Sequence, residues 1–401
     1  MSILASLHFY CSFTSAKAFR LIALNSGLAC LVFQTSISAQ VVPDNTLPQN
    51  SIVTNNLITG GTVSGTTLFH SFQEFSNPTG AAIVFSPNSG VQNIFARVTG
   101  TQRSLIDGLL AVNGGANLFL LNPNGITFGQ NAQLRVNGSF IASTADSIQF
   151  AKGGEFSAKT PQAPPLLTIS TPIGLQFGNR SASIVNQAIA LSVPSGQTLG
   201  LAGGEIRLDN GTLTSLGGAI FLVSADSFGT VQLNGLNLGE TNVQQFGNIE
   251  LSGSASINAS GSGGGAIQIR GGNVTLRDRA RLISDTTGAN NGQDIEIQAD
   301  QFSLFDRALV RAITTGTGKG GNIRIRAKDA IAMTGTGYAA FERNYLRAAF
   351  DRTVQLTNLE SAILAGTFGA GQGGNLTLEA RQLTLTQGAV IGNPTQGTGA
   401  G

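Results

Sequence analysis

Ala266-Ile267-Gln268-Ile269, Asp294-Ile295-Glu296-Ile297 and Asn322-Ile323-Arg324-Ile325 stand 28 residues apart, and Asn375-Leu376-Thr377-Leu378 follows 53 residues further on, close to two more periods. Each alternates apolar with polar residues, the pattern of a strand buried on one face. A second apolar pair comes seven residues after the first, as Val274/Leu276, Phe302/Leu304, Leu383/Leu385 and, one residue late, Ile331/Met333. A third falls near Leu282/Ile283, Leu309/Val310 and Val390/Ile391. Three short strands per repeat, joined by Gly/Asn/Asp corners, cannot each bury a face alone. Stacked coils can, each pairing with the next through parallel hydrogen bonds. The fold expected is all-β, a single-stranded parallel β-helix with three short strands per coil. Recurring Gly-Asn/Asp corners should then stack as a ladder. An antiparallel sandwich would also space strands regularly, but a constant 28-residue offset favours the β-helix.

Upstream the alternation continues with a less clean period. Ile83-Val84-Phe85, Leu105-Ile106, Leu109-Leu110, Gln133-Leu134-Arg135-Val136 and Ser139-Phe140-Ile141 read as short strands. Pro161, Pro164, Pro165 and Pro172 crowd one segment, and proline removes ladder donors. Lys159–Pro172 is therefore expected to leave the stacked core as a loop or edge hairpin and re-enter near Ile173. Residues 40–260 are expected to form a decorated module and 261–401 a regular array ending on an open coil edge.

Composition agrees. The 401 residues include 53 Gly and only 11% charged residues, too apolar for a disordered chain. Lys17 and Arg20 precede the apolar stretch Leu21–Phe33, and Ile37-Ser38-Ala39 offers a small-residue cleavage site before Gln40. Residues 1–39 thus read as a signal peptide cleaved between Ala39 and Gln40, since the apolar stretch is about 13 residues where a membrane span needs roughly 20. Both cysteines, Cys11 and Cys30, leave with it, so the exported chain holds no disulfide. Without Lys17 and Arg20 the remainder has 21 basic and 21 acidic residues, and no basic run that would suit nucleic acid.

Asn122-Pro123-Asn124-Gly125-Ile126 separates two apolar runs, Asn117–Leu121 and Ile126–Gly129. Pro123 presets a turn's second position, and Asn124 and Gly125 tolerate positive φ, so a tight turn between strands follows.

The segments Leu68–Phe75, Asn93–Gly100, Ile106–Leu110 and Asn117–Gly129 occur in that order, followed by Ser139–Ala145 and Pro172–Gly178. Together they closely resemble the N-terminal secretion domain of filamentous haemagglutinin-type exoproteins of two-partner secretion systems, in the flavour of cyanobacterial members. The resemblance covers residues 40–230. It implies a right-handed parallel β-helix with extrahelical hairpins or loops, export by the general secretory machinery, and passage unfolded through an outer-membrane TpsB-type transporter whose periplasmic domains dock the secretion domain. It also implies a secreted or cell-surface protein with an adhesive shaft meeting a host or surface glycan or protein. Asn122, Pro123, Asn124, Gly125 and Ile126 carry over as the secretion motif, acting either as a coil corner or by direct contact with the transporter. A second, upstream Asn-Pro-Asn found in the family has only Ser86-Pro87-Asn88-Ser89 near its place.

The rival class is a β-helical carbohydrate-active enzyme, a lyase or hydrolase, which needs paired carboxylates or a carboxylate-held metal. The densest acidic stretch is Asp294, Glu296, Asp300 and Asp306; Asp294 falls at a corner and Glu296 between inward Ile295 and Ile297, which suits a solvated face. No catalytic, cofactor or metal residue is assigned. His70 lies in an apolar aromatic segment and reads as structural. Thr315–Gly321 resembles a phosphate loop superficially but lacks Ser/Thr after Lys319 and recurs as a repeat corner. Tyr338, Phe341, Tyr345 and Ala348 fall at helical spacing, marking residues 337–358 as a helical insertion.

Overall fold

A computed structural model of the chain describes residues 40–162, 171–343 and 361–400. The signal peptide through Ala39, and Tyr345 and Ala348 of the helical insertion, lie outside the described residues. Within the insertion a four-residue helix, Tyr338–Phe341, is seen.

The chain winds as a parallel β-helix. First-face strands Thr67–Ser76, Asn93–Val98, Asn117–Leu121, Phe140–Ser143, Thr198–Gly203, Ala219–Ser224, Ala266–Arg270, Ile295–Phe305, Ile323–Thr334 and Leu376–Glu379 pair in parallel, each with the next. A second face runs from Ser104–Ile106 to Gln382–Thr386, and a third from Ala82–Phe85 to Val390–Gly392. The expected 28-residue offset is the pairing register, Ile267 on Ile295 and Ile295 on Ile323. The one-residue lag of Ile331/Met333 is a bulge in Ile323–Thr334, where two residues between Ala327 and Ala330 oppose the one between Ala299 and Gln301. Early coils are shorter: Leu68 sits on Ile94, Ile94 on Leu118 and Leu118 on Phe140.

Alternation decides what faces inward. Ile267, Ile269, Val274, Leu276 and Leu282 of one coil are buried, as are Ile295, Ile297, Phe302, Leu304 and Val310 of the next. Each such burial contributes about 1.5–3 kcal/mol. Leu383 and Leu385, on the last coil, are exposed. The corners stack as expected: the Asn322 N–H and Nδ2 donate to Asp294 Oδ1 at 2.9 and 2.8 Å, and the Asn375 N–H to Asn322 Oδ1 at 2.9 Å. Thr315–Gly321 is such a corner too, its Gly318 packed so closely on Asn290 O that no side chain fits.

The excursion is larger than the prolines suggest. The chain leaves the coil after Ser143 and resumes at Ile184, not near Ile173. Ser147–Phe150, Glu155–Ser157 and Pro172–Phe177 join Gly229–Asn234 and Asn237–Thr241, from a second excursion, in a five-stranded antiparallel sheet. Ile173 lies in that sheet, partly exposed. Ile148, Phe150, Phe156, Leu175, Phe177 and Val231 of the sheet bury outward-facing Phe69, Phe95, Phe119, Ile141 and Phe221 of the first face. A second core therefore lies outside the coil.

At the N-terminal end, strands Gln40–Pro43 and Thr62–Ser64 pair antiparallel with Thr67–Ser76 and cover the first coil. His70 of that coil is buried against Phe72 and Phe85, with Nδ1 3.0 Å from Ser51 Oγ. Burial drives its pKa down to about 3, so it is neutral.

Candidate functional site

Asn122–Ile126 forms the corner between the first-face strand Asn117–Leu121 and the second-face strand Ile126–Phe128. The turn closes with the Gly125 N–H donating to Asn122 O at 3.1 Å. Asn122 Oδ1 accepts from the Asn124 N–H at 2.9 Å, an Asx turn that explains asparagine at the first position. Gly125 has φ +111°, a backbone conformation that demands glycine.

The side-chain amides grip the preceding coil. Asn122 Nδ2 donates to Gln102 O and Ser104 Oγ, both at 3.0 Å, and Asn124 Nδ2 to Gly100 O at 2.7 Å. The following turns are held by the backbone: the Asn122 N–H donates to Ser143 O at 2.9 Å, the Ile126 N–H to Ser183 O at 3.2 Å. Asn122 is fully buried, Ile126 points into the core, and Pro123 and Asn124 are half-buried. Nothing in the motif titrates; its chemistry is hydrogen bonding between coils.

The neighbouring segments have the same character. Asn117 Nδ2 donates to Asn93 Oδ1 at 2.9 Å, and Asn117 Oδ1 accepts from the Ser139 N–H at 2.8 Å, repeating the corner ladder. Asp107 accepts from the Asn131 N–H at 2.9 Å and from Thr79 on the other side. Burial alone would raise its carboxyl; the Thr79 and Asn131 donors outweigh that and hold it below the usual range. Ser86-Pro87-Asn88-Ser89 follows the third-face strand Ala82–Phe85, a different corner from Asn122–Ile126. Gln40 is exposed and opens a strand paired with Ser76.

The acidic stretch is taken up by ladders. Arg324 pairs with Asp294 and, at 3.3 Å, with Glu296, across one coil step. Asp306 has φ +52° and forms a second-face corner. Among the described residues no group of three or more His, Cys, Asp or Glu converges as a metal site. Arg97, given no role by the sequence reading, is the largest fully buried polar side chain among them. Its place, at the end of an otherwise apolar strand, was the available signal.

Comparison with known proteins gives a family and two similar structures. The family model of the TPS secretion domain matches residues 39–276. The HMW1 secretion domain from Haemophilus influenzae is similar in structure, with 15% identity over 87% of this chain and 99% of that one, at a TM-score of 0.42. A filamentous hemagglutinin secretion domain is similar with 13% identity over 88% of this chain and 99% of that one, at a TM-score of 0.44. No curated protein sequence matches the chain.

Proposed function

The chain belongs to the TPS secretion domain family and is a two-partner secretion exoprotein, and from that premise we propose that residues 40–260 are an export module recognised by the periplasmic domains of a TpsB-type outer-membrane transporter. Residues 1–39 take the chain to the general secretory machinery, with cleavage between Ala39 and Gln40. The mature protein crosses the periplasm and ends at the cell surface or in the medium. The array 261–401 is the shaft, proposed to meet a surface glycan or protein. Cross-coil ion pairs such as Arg326–Glu379 support a stiff, stacked exterior for that role.

Within this reading Asn122–Ile126 serves export by closing a coil on which later coils stack. The observation that carries it is the use of both asparagine amides inside the fold, on Gln102, Ser104 and Gly100. Both amide nitrogens are thereby occupied within the fold.

The test compares two readouts over Asn122→Ala, Pro123→Ala, Asn124→Ala and Gly125→Ala: export with the cognate transporter present or absent, and stability of the purified chain 40–401. Transporter-dependent export that falls in the same order as stability is expected. A variant as stable as the parent yet not exported would overturn the corner role in favour of direct contact. Export that ignores the transporter would sink the two-partner reading itself.

A further inference from the structure

Arg97 is fully buried, and burying a guanidinium costs several kcal/mol unless its donors are matched. Its Nε donates to Ser71 Oγ at 2.8 Å, one terminal nitrogen to Ser157 O at 2.7 Å, and the other to Thr46 Oγ1 at 2.8 Å and Gln162 O at 3.2 Å. The Phe156 ring covers its face at 4.3 Å. Three separate stretches of chain supply these partners to an arginine of the second coil: the residues after the capping strand, the first coil, and the outer hairpin 147–157 with the residues that follow it.

Asp44 supplies the balancing charge through shared hydroxyls. Thr46 Oγ1 and Ser71 Oγ each accept from Arg97 and donate to Asp44, both at 2.7 Å, and Thr99 Oγ1 donates to the same carboxylate at 2.5 Å. Burial lowers the Arg97 pKa to about 10, against the pull of Asp44, so the guanidinium stays charged at neutral pH. For Asp44 burial works toward a higher pKa, but the Thr99, Thr46 and Ser71 hydroxyls outweigh it and hold the carboxyl below its ordinary value.

We propose that Arg97 is a positioning residue that latches the N-terminal cap and the outer hairpin to the first two coils, so that both close together or not at all. If the hairpin is undocked, Arg97 loses Ser157 O and the Phe156 face, while Phe69, 4.9 Å from Phe156, loses its cover. If the cap is undocked, Arg97 loses Thr46 and the charge of Asp44. Either opening strands a buried cation, which makes the other opening easier. The proposal rests on the export reading only for its use: a chain emerging in sequence order cannot complete its first coils until residue 162 is out. Its physical content stands without a transporter.

The test is hydrogen exchange on the purified chain 40–401, with Arg97→Met, Arg97→Lys and Thr46→Ala, monitored in Gln40–Pro43, Glu155–Ser157 and the array strand Ile295–Phe305. The parent is expected to open the first two segments at one common rate. Thr46→Ala touches only the cap side, yet should speed exchange in both by more than about threefold, Arg97→Met by more than about tenfold and Arg97→Lys by less, with the array strand unchanged. Loss of protection in one segment alone, equal loss in Ile295–Phe305, or no loss would overturn the latch. Should Arg97→Met not fold, Thr46→Ala still decides. Export assays play no part, so failure of the export reading leaves this result standing.

Discussion

The coil is built in two ways in one chain. In the array, Ile295 and Ile297 face inward and Glu296 between them reaches Arg324 one coil on. In the upstream module, Phe119 and Leu121 face outward and are as buried as Leu118 and Leu120, because the antiparallel sheet covers them. Array contacts repeat at one coil step, as in the Asp294–Asn322 pair. Module contacts reach 60 residues, as in Arg97 to Ser157. An array coil therefore depends on its neighbours alone, while a module coil depends on chain far from it in sequence. The array should respond to damage locally, and the module as a unit.

The largest test of that contrast is Phe156→Ala. Phe156 is fully buried, stands edge-on to Phe69 at 4.9 Å and covers Arg97. The substitution is expected to destabilise the module by about 3–5 kcal/mol. Urea unfolding of the chain 40–401, followed by hydrogen exchange in both regions, should show the module melting early and Ile295–Phe305 holding. Equal shifts in the two regions would mean one cooperative unit and would break the comparison.

Much of this contrast was legible in the residues. The 28-residue repeat, its inward pairs and its corner ladder follow from period and alternation. So did the turn at Asn122–Ile126, because Asn, Pro and Gly have local reasons to be there. The second core did not follow. Asn117-Leu118-Phe119-Leu120-Leu121 is a continuous apolar run, which announces burial on both faces. It does not name the cover, since the two excursions share no period with the coil. The prolines of Lys159–Pro172 marked a departure but not its ends. Arg97 stands one residue from the end of its strand with no local reason to be there; only the juxtaposition of Thr46, Ser71 and Ser157 explains it.

Asparagine corners give the next test, since both regions use them. Asn122→Ala removes two bonds to the preceding coil from a fully buried site and should cost about 1–3 kcal/mol. Asn322→Ala, at a partly buried ladder position between Asp294 and Asn375, should cost about half as much and only near its own coil. Chemical denaturation of each purified variant measures both. An array substitution that costs more than its module counterpart would reverse the comparison.

Acid between about pH 6 and pH 4 should destabilise the module. His70 titrates near 6.5 when unfolded and at about 3 when folded. Between those values the unfolded chain binds a proton that the folded chain does not, so stability falls as pH is lowered, by about 1.4 kcal/mol per pH unit. Below the ordinary carboxyl range the Asp44 contribution is lost as well, its folded pKa being the lower one. His70→Gln should flatten the dependence between pH 6 and pH 4 on the order-of-magnitude terms of that linkage. An unchanged slope, or a matching slope in array amides, would place the acid sensitivity elsewhere.

The smallest expected effect is also the sharpest. Removing residues 295–322 deletes one full period and joins Asp294 to Ile323, which the register already places one step above Ile295. Ile323 would then stack on Ile267, and Ile363 on Leu282, so no inward position changes face. The deletion strands one group, the buried Asp285, whose carboxylate accepts from Arg311 Nε at 3.1 Å. Burial already raises that carboxyl despite Arg311, so the deletion should carry Asp285→Asn to avoid a lone buried charge. With that change the module's unfolding midpoint should move by less than about 0.5 kcal/mol, the scale on which distant sites are independent. A larger fall would show that the array supports the module rather than merely stacking on it. No comparable deletion exists between Asn93 and Ser143, where successive coils differ in length and each carries a different strip of the second core.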